Sequence, residues 1–477
     1  MKKVLLLSLI LILSFAVFGC STDVDDGTIQ DNNSEVQEVQ LVDLEGFDFD
    51  YYVAISRTNS DTILGYLPNT EFGDIALQRI AEVENDLNCK IIIKPALFAA
   101  VSTTLTKMMA GGDVYDAIQS ESYAYDPFIA REAFMPYSEV ADIINYTDEE
   151  KWGKRNLLEP MVYQNELYGI MPATWPELYY TYFGHPLLVN EDLVKAQGHN
   201  DPREFVEQKQ WDWNKFSQVL QDYTVINGDD ILYAMTVHPQ YFVESSLRSN
   251  GGSLAVKEDS GYVSGINKKN ALDAFIWCSQ IYSTDRAECF NRKVTDTVAV
   301  ANYFIDQKAV MTIQPVERIY GVEGVISFKL DAEIGVLPFP NGPMGTYGKW
   351  TGTFESMNFI ITIPTLAEDY RASAHILNYL YRPLPGYETK EKQLESYNKN
   401  VFFDKRDSDV FFTMLDNAQY TYFIQGVRSF YEGSAALKSA TAVTSKIDSA
   451  SKAYQVILEK NIIPAYESVE YIWGAAE

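Results

Sequence analysis

Positive charge is scarce in this chain: 38 Lys and Arg stand against 66 Asp and Glu in 477 residues, a formal net charge of −28. That balance excludes a nucleic-acid binder, which needs a basic footprint. It also disfavours anionic substrates unless a local basic pocket gathers them. Four cysteines are too few for a disulfide-rich scaffold of this length. The four histidines, His185, His199, His238 and His375, never fall at His-x-x-x-His spacing, and no Cys-x-x-Cys occurs, so zinc motifs are missing. No phosphate-binding glycine loop or GxGxxG is present, and Gly251-Gly252-Ser253-Leu254-Ala255 lacks the closing glycine of a nucleophile elbow. What is plentiful is apolar and aromatic residues: 47% hydrophobic and 13% aromatic, with 32 Tyr. The length accommodates roughly two to four domains with ordinary cores, and the tyrosine excess suits half-wet recognition surfaces.

The N-terminus has signal-peptide grammar. Lys2 and Lys3 precede an apolar run from Val4 to Phe18, broken only by Ser8 and Ser14 and short of the ~20 residues of a membrane span. Val17-Phe18-Gly19-Cys20 resembles a bacterial lipobox, with Phe18 where a small residue is usual. Cys20 is therefore the expected lipidation site and new N-terminus. From Ser21 to Ser56 there is no Lys or Arg but ten acidic residues, which predicts a self-repelling tether up to about Gly46. Of the remaining cysteines, Cys278 and Cys289 are close enough in sequence for a local disulfide, and burial as three small hydrophobes with Cys89 is the equal alternative.

Beyond the tether the pattern predicts a strand at 51–56 and a helix at 71–88 with Leu77, Ile80, Val83 and Leu87 on one face. A strand at 89–94 stopped by Pro95, a helix at 97–110 and a strand at 114–119 follow. Alternation of strand and helix implies a parallel sheet. Later expectations are a hairpin at 161–170, strands at 178–183, 309–313, 333–337 and 358–363, and helices at 213–223, 270–282, 367–381 and around 445–460.

Five local signatures occur in a familiar order: Met108–Asp116 as an "sGd.PDv"-like turn with Tyr115 in place of Pro; Glu166–Pro172, close to "gklYGiP"; Leu188–Leu193 followed by Trp211–Phe216, similar to "YNkdlf…TWdEf"; Phe304–Met311, like "F..GkaAM"; and Ile334–Pro343, like "igv.P.P.gp". Over about residues 50–475 the chain resembles the extracellular solute-binding proteins of ABC importers, family 1, the mostly carbohydrate-binding group. The resemblance implies an α/β fold of the type II periplasmic-binding-protein kind: two α/β lobes, a hinge and an interlobe ligand cleft. It further implies a signal peptide at 1–19, a tether at 20–46, lobe one from 47–175 and 316–382, and lobe two from 176–315 and 383–477. The implied partners are a small-molecule solute, an oligosaccharide foremost, ABC permease subunits, and the membrane through the lipid anchor. No nucleic acid, cofactor or metal is expected, the molecule is expected to be a monomer on the outer face of the cytoplasmic membrane, and no catalytic residues are assigned.

Ligand contacts implied by the resemblance begin with the loop after the third strand, Ser120, Glu121, Tyr123 and Tyr125, whose mix of polar and aromatic groups suits sugars. They continue at the first crossing with Trp175, Glu177 and Tyr179, then with Glu317 and Arg318 after the 309–313 strand, and with Trp350, Gly352 and Glu355. Many sugar binders carry an aromatic where Val316 falls, which shifts that duty to Arg318 or Tyr320. Trp211 and Trp213 are assigned to packing, and Tyr420, Tyr422 and Phe423 are further lobe-two candidates. The alternatives are a receptor for a peptide or polyol, and a secreted lipoprotein glycosidase, for which the 66 carboxylates nominate no particular pair. Asn227-Gly228-Asp229-Asp230 reads as a solvated turn in preference to a calcium loop.

Overall fold

A computed structural model describes residues 41–56, 61–176, 185–319, 326, 329–354, 359–400, 402, 404–420 and 438–474. Among the described residues two separate sheets are built from β1 (Phe47–Ser56), β2 (Cys89–Leu97), β3 (Ala117–Glu121), β4 (Leu187–Asn190), β5 (Asp230–Val237), β6 (Phe290–Asn291), β7 (Ala309–Ile313), β8 (Ile334–Leu337) and β9 (Phe359–Thr362), with Val225–Asn227 added as an antiparallel partner at the start of β5. The first sheet runs β2-β1-β3-β9 and the second β6-β5-β7-β4-β8.

β1, β2 and β3 are parallel, as the alternation of strands and helices predicts, and β9 is antiparallel to β3. In the second sheet β6, β5 and β7 are parallel, while β4 runs antiparallel to both β7 and β8. The first sheet has a vestigial fifth member, a single antiparallel bridge from Ile170 to Ile361 of β9. Each sheet thus has its second strand outermost, then its first, its third, an antiparallel strand delivered from the other half of the chain, and a fourth. β4 begins just after the first crossing and β9 just after the return, so each crossing contributes an antiparallel strand to the sheet it enters.

Local sequence accounts for most elements. Thr70 caps the helix Glu71–Leu87 by accepting from the Gly73 N–H, and Asn88, left-handed at φ 48°, ends it. Its buried face is Phe72, Ala76, Ile80, Val83 and Leu87, together with Arg79, whose guanidinium donates to the carbonyls of Leu380, Arg382 and Pro383. Leu77, expected on that face, is exposed. β2 continues through Pro95 to Leu97, beyond its expected stop. Because β2 lies at the sheet edge, a residue without an N–H is tolerated there. Helix is therefore delayed, with a 3-10 turn at Phe98–Ala100 before Val101–Met109. β3 begins at Ala117, three residues later than expected, because the Asp116 carboxylate accepts from the Asp50 and Glu368 N–H groups ahead of it.

The chain between the two sheets keeps contacts with both. Residues 334–337 belong to the second sheet, and Asn341 and Gly342 bond to Trp213 and Ser249, so the chain rejoins the first sheet only at β9. Past residue 383, Tyr387 packs on Phe72 at 5.2 Å, against the first-lobe helix. The C-terminal helices touch both lobes. Ala440–Ile457 meets the 261–264 strand through Ser451 and Gln455. Ser468 of Ile463–Trp473 accepts from the Asn165 N–H on one side, while Glu470 pairs with Lys257 on the other. Hydrophobic periodicity identifies such elements but carries no information about which sheet they join.

Cys89, Cys278 and Cys289 are buried free thiols, and burial pushes the Cys89 thiol up to about 11. Asn227 and Asp230 pair across a hairpin turn with Gly228 at φ 65°. Among the described residues no group of three His, Cys, Asp or Glu is placed to hold a metal, and no helix is long and apolar enough to cross a membrane.

Candidate functional site

The carboxyl edges of the two sheets hold an unusual share of buried polar atoms. On β3, Ser120 lies one residue before the strand end, between Ala54 of β1 and Ile360 of β9. Ser120 and Glu121 are strand residues, where the sequence expectation made them part of the following loop. Ser120, Glu121 and Ser122 are at most 1% exposed, and the Oγ atoms of Ser120 and Ser122 have no hydrogen-bond partner among the described residues. A buried unpartnered hydroxyl costs about 1–3 kcal/mol, so this edge is built for something beyond its own packing. Tyr123 is half-buried with its ring edge-on to Phe98 at 5.6 Å. Tyr125, expected as a stacking surface, is instead fully buried, its hydroxyl 3.0 Å from the carbonyl oxygens of Ile118 and Ile360. Its ring packs edge-on to Phe134 at 5.2 Å.

Trp175 is likewise 0% exposed. It stacks on Tyr66 at 5.8 Å and 8°, leans on Tyr381 at 5.1 Å, and donates from Nε1 to the Arg382 carbonyl. Thr174 donates to the Tyr381 carbonyl and Tyr66 to that of Pro176, so the chain entering the crossing is sewn onto lobe one. Glu177 and Tyr179 lie outside the described residues, as do Glu355, Tyr320, Tyr422, Phe423 and Cys20. So do the expected strand at 178–183 and the side chains of Glu317 and Tyr420.

In lobe two the edge is richer. Asn291 of β6, Thr236 of β5 and Thr312 of β7 are register partners in one row. Gln314, two residues past Thr312, donates to its Oγ1 at 3.1 Å. All four are at most 2% exposed, and Thr236 Oγ1, Asn291 Nδ2 and Gln314 Oε1 have no hydrogen-bond partner among the described residues. The neighbouring row has the opposite chemistry: Met235 and Phe290 pair there, and Phe290 joins Phe242 at 5.3 Å in an aromatic cluster with Trp277 and Phe339. Adjacent rows point to opposite faces of a sheet, so the second sheet has one aromatic face and, at its carboxyl edge, one polar face. Past the strand end, His185 stacks on Tyr241 at 3.9 Å with Nδ1 3.7 Å from Glu244 Oε2, both groups buried.

Arg318 is half-buried and donates to Thr297 Oγ1 at 3.3 Å, and Val316 is buried. Trp350 is half-buried with its ring edge toward Tyr347, and the Gly352 N–H donates to the Met414 carbonyl. Trp211 bonds the Pro338 carbonyl and Trp213 stacks on Trp277 at 4.1 Å, both as packing residues. Sequence reasoning passed over Thr236, Asn291, Thr312, His185, Tyr241 and Glu244. The available signal was a polar residue one position before the end of an otherwise apolar stretch, as in Thr236 and Thr312. A cavity of about 510 Å³ opens elsewhere, between the 162–167 hairpin and the C-terminal helix, lined by Glu159, Tyr163, Asn165, Lys460 and Ser468. None of the expected contact residues line it.

The two-sheet plan, with a strand exchanged at each crossing, is that of type II periplasmic binding proteins, and solved structures bear this out. An ABC substrate-binding protein from Listeria monocytogenes, in complex with cycloalternan, is similar over 87% of this chain and 99% of its own at TM-score 0.56 and 13% identity. The sugar-binding protein MalE from Xanthomonas citri is similar over 90% of this chain and 100% of its own, at 0.55 and 14%. UgpB from Mycobacterium tuberculosis, in complex with glycerophosphocholine, is similar over 87% and 99%, at 0.58 and 13%. No protein-family model matches the chain, and no curated protein does.

Proposed function

We propose that this chain is the substrate-binding lipoprotein of an ABC importer, capturing a carbohydrate, foremost an oligosaccharide, between two lobes and delivering it unaltered to membrane permeases. The observation that carries the reading is the pair of like-ordered sheets whose carboxyl edges are lined by buried polar atoms, since open α/β sheets bind ligands at that edge. The sugar-bound proteins of the same fold support it. The solute is held by hydroxyl, amide and carboxylate groups of both edges, and hinge closure changes the outer shape that permeases read. No chemistry on the solute is required. Cys20 carries the lipid, the acidic segment is the tether, and the folded part works as a monomer on the outer face of the cytoplasmic membrane.

Purified protein is to be incubated with maltotriose, maltotetraose and other neutral oligosaccharides. Binding without product formation is expected, with a thermal upshift corresponding to about 2.7 kcal/mol at a hundredfold excess over Kd. Catalytic turnover would transfer the protein to the glycosidases. Growth with a radiolabelled fatty acid is expected to label the wild type and not Cys20→Ala.

A further inference from the structure

We propose that the row Asn291–Thr236–Thr312–Gln314 at the carboxyl edge of the second sheet is the principal hydroxyl-reading surface, and that it selects an uncharged polyhydroxylated solute over a phosphate ester. The inference rests on the receptor reading above and deepens it by naming residues and solute charge. Three observations carry it. The four side chains share one face, by strand register and by the Gln314–Thr312 hydrogen bond. They are at most 2% exposed. Three of them keep an unpartnered atom: a hydroxyl on Thr236, an amide donor on Asn291 and an amide acceptor on Gln314. This set both donates and accepts, as a sugar hydroxyl does.

The chemistry also states what the row rejects. A phosphate oxygen only accepts, so it satisfies Asn291 but leaves the Gln314 acceptor facing negative charge. Phosphate recognition draws on guanidinium and ammonium groups, and the row contains neither. Among the described residues the buried guanidiniums of this lobe are Arg203, committed to Asp407, Glu191 and Asp201, and Arg248, which donates to Ser253 Oγ. Discrimination is expected to be strong because an unmatched solute leaves buried polar atoms unpaired.

The test is titration calorimetry and thermal melting of the full mature chain with a panel of neutral di- to tetrasaccharides including maltotriose, and with glycerol 3-phosphate. Wild type is expected to bind at least one neutral sugar and not glycerol 3-phosphate. Thr236→Val and Gln314→Met are each expected to weaken that sugar about tenfold. Thr236→Val should do so without lowering the melting temperature of the sugar-free protein, since it removes an unpartnered buried hydroxyl. Thr236→Ser, which keeps the hydroxyl, should retain affinity and guards against loss by misfolding. Sugar affinity unchanged within twofold in both Thr236→Val and Gln314→Met would overturn this assignment and leave the receptor reading standing. Binding of glycerol 3-phosphate comparable to the sugar would overturn the selectivity. Failure of wild type to bind any sugar in the panel would overturn the carbohydrate reading together with the inference.

Discussion

Where the second sheet presents Thr236 of β5, Thr312 of β7 and Leu188 of β4, the first presents Ala54 of β1, Ser120 of β3 and Ile360 of β9. The strands occupy like positions in like-ordered sheets, and the difference is confined to the outer side of the row, where the second lobe has Thr236 in place of Ala54 and adds Asn291 beside it. The first lobe keeps its larger polar network one residue away: Tyr51 reaches Gln119 at 3.0 Å and Tyr381 at 2.7 Å, all within its interior. That network satisfies itself, whereas the second-lobe row does not. Backbone topology fixes where a ligand edge lies, and the parity of a single residue along the strand decides whether its polar groups serve the core or the edge.

The interiors are braced differently as well. Lobe one is held near the crossing by aromatic packing of Trp175 with Tyr66 and Tyr381. Lobe two is held by Arg203, which donates to both oxygens of buried Asp407 and pairs with Glu191 at 2.7 Å and Asp201 at 2.9 Å. Asp407 also accepts from the Val336 N–H of β8, and burial pushes its carboxyl up to about 6.

This contrast can be tested by breaking each brace. Trp175→Ala is expected to cost about 3–5 kcal/mol in denaturant unfolding, as a large ring lost from a packed core. A loss well under 1 kcal/mol would mean the ring is not part of lobe one's core. Arg203→Met leaves Asp407 buried beside unscreened carboxylates and should cost about 3–5 kcal/mol. The double change Arg203→Met with Asp407→Leu should recover much of that, which a purely hydrophobic brace could not do. Tyr381→Phe removes one hydroxyl from the first-lobe network and should cost about 0.5–1.5 kcal/mol, measured the same way.

The smallest effect is in the acid limb. The Arg406 guanidinium holds the Asp404 carboxyl down at about 2. Because the folded value lies below the unfolded value of about 3.9, the folded state releases this proton more readily. Its stabilisation is full above about pH 4 and is lost as pH falls toward 2. Asp404→Asn should flatten the stability curve over that window, and an unchanged slope would remove the pair from the acid response.

Much of the architecture is legible in the sequence. The helix at Trp213–Tyr223 and the strand at Ala309–Ile313 occur where hydrophobic period and capping residues place them. Two features lie beyond local sequence. β2 ran past Pro95 because edge position, a tertiary property, removes proline's penalty. An aromatic beside polar residues, such as Tyr125 or Trp175, looks the same in sequence whether its ring faces water or the core. Only their hydrogen bonds to the Ile118, Ile360 and Arg382 carbonyls reveal that they are enclosed.

By itself the sequence determined the elements, their caps, the acidic leader and the resemblance to solute receptors, since these depend on residues near one another along the chain. The tertiary structure decided which sheet received β4, β8 and β9, and which polar residues were left at a carboxyl edge without partners. Pairing register and burial are relations between segments up to hundreds of residues apart, and the free energy that selects them belongs to the contact and not to either strand alone.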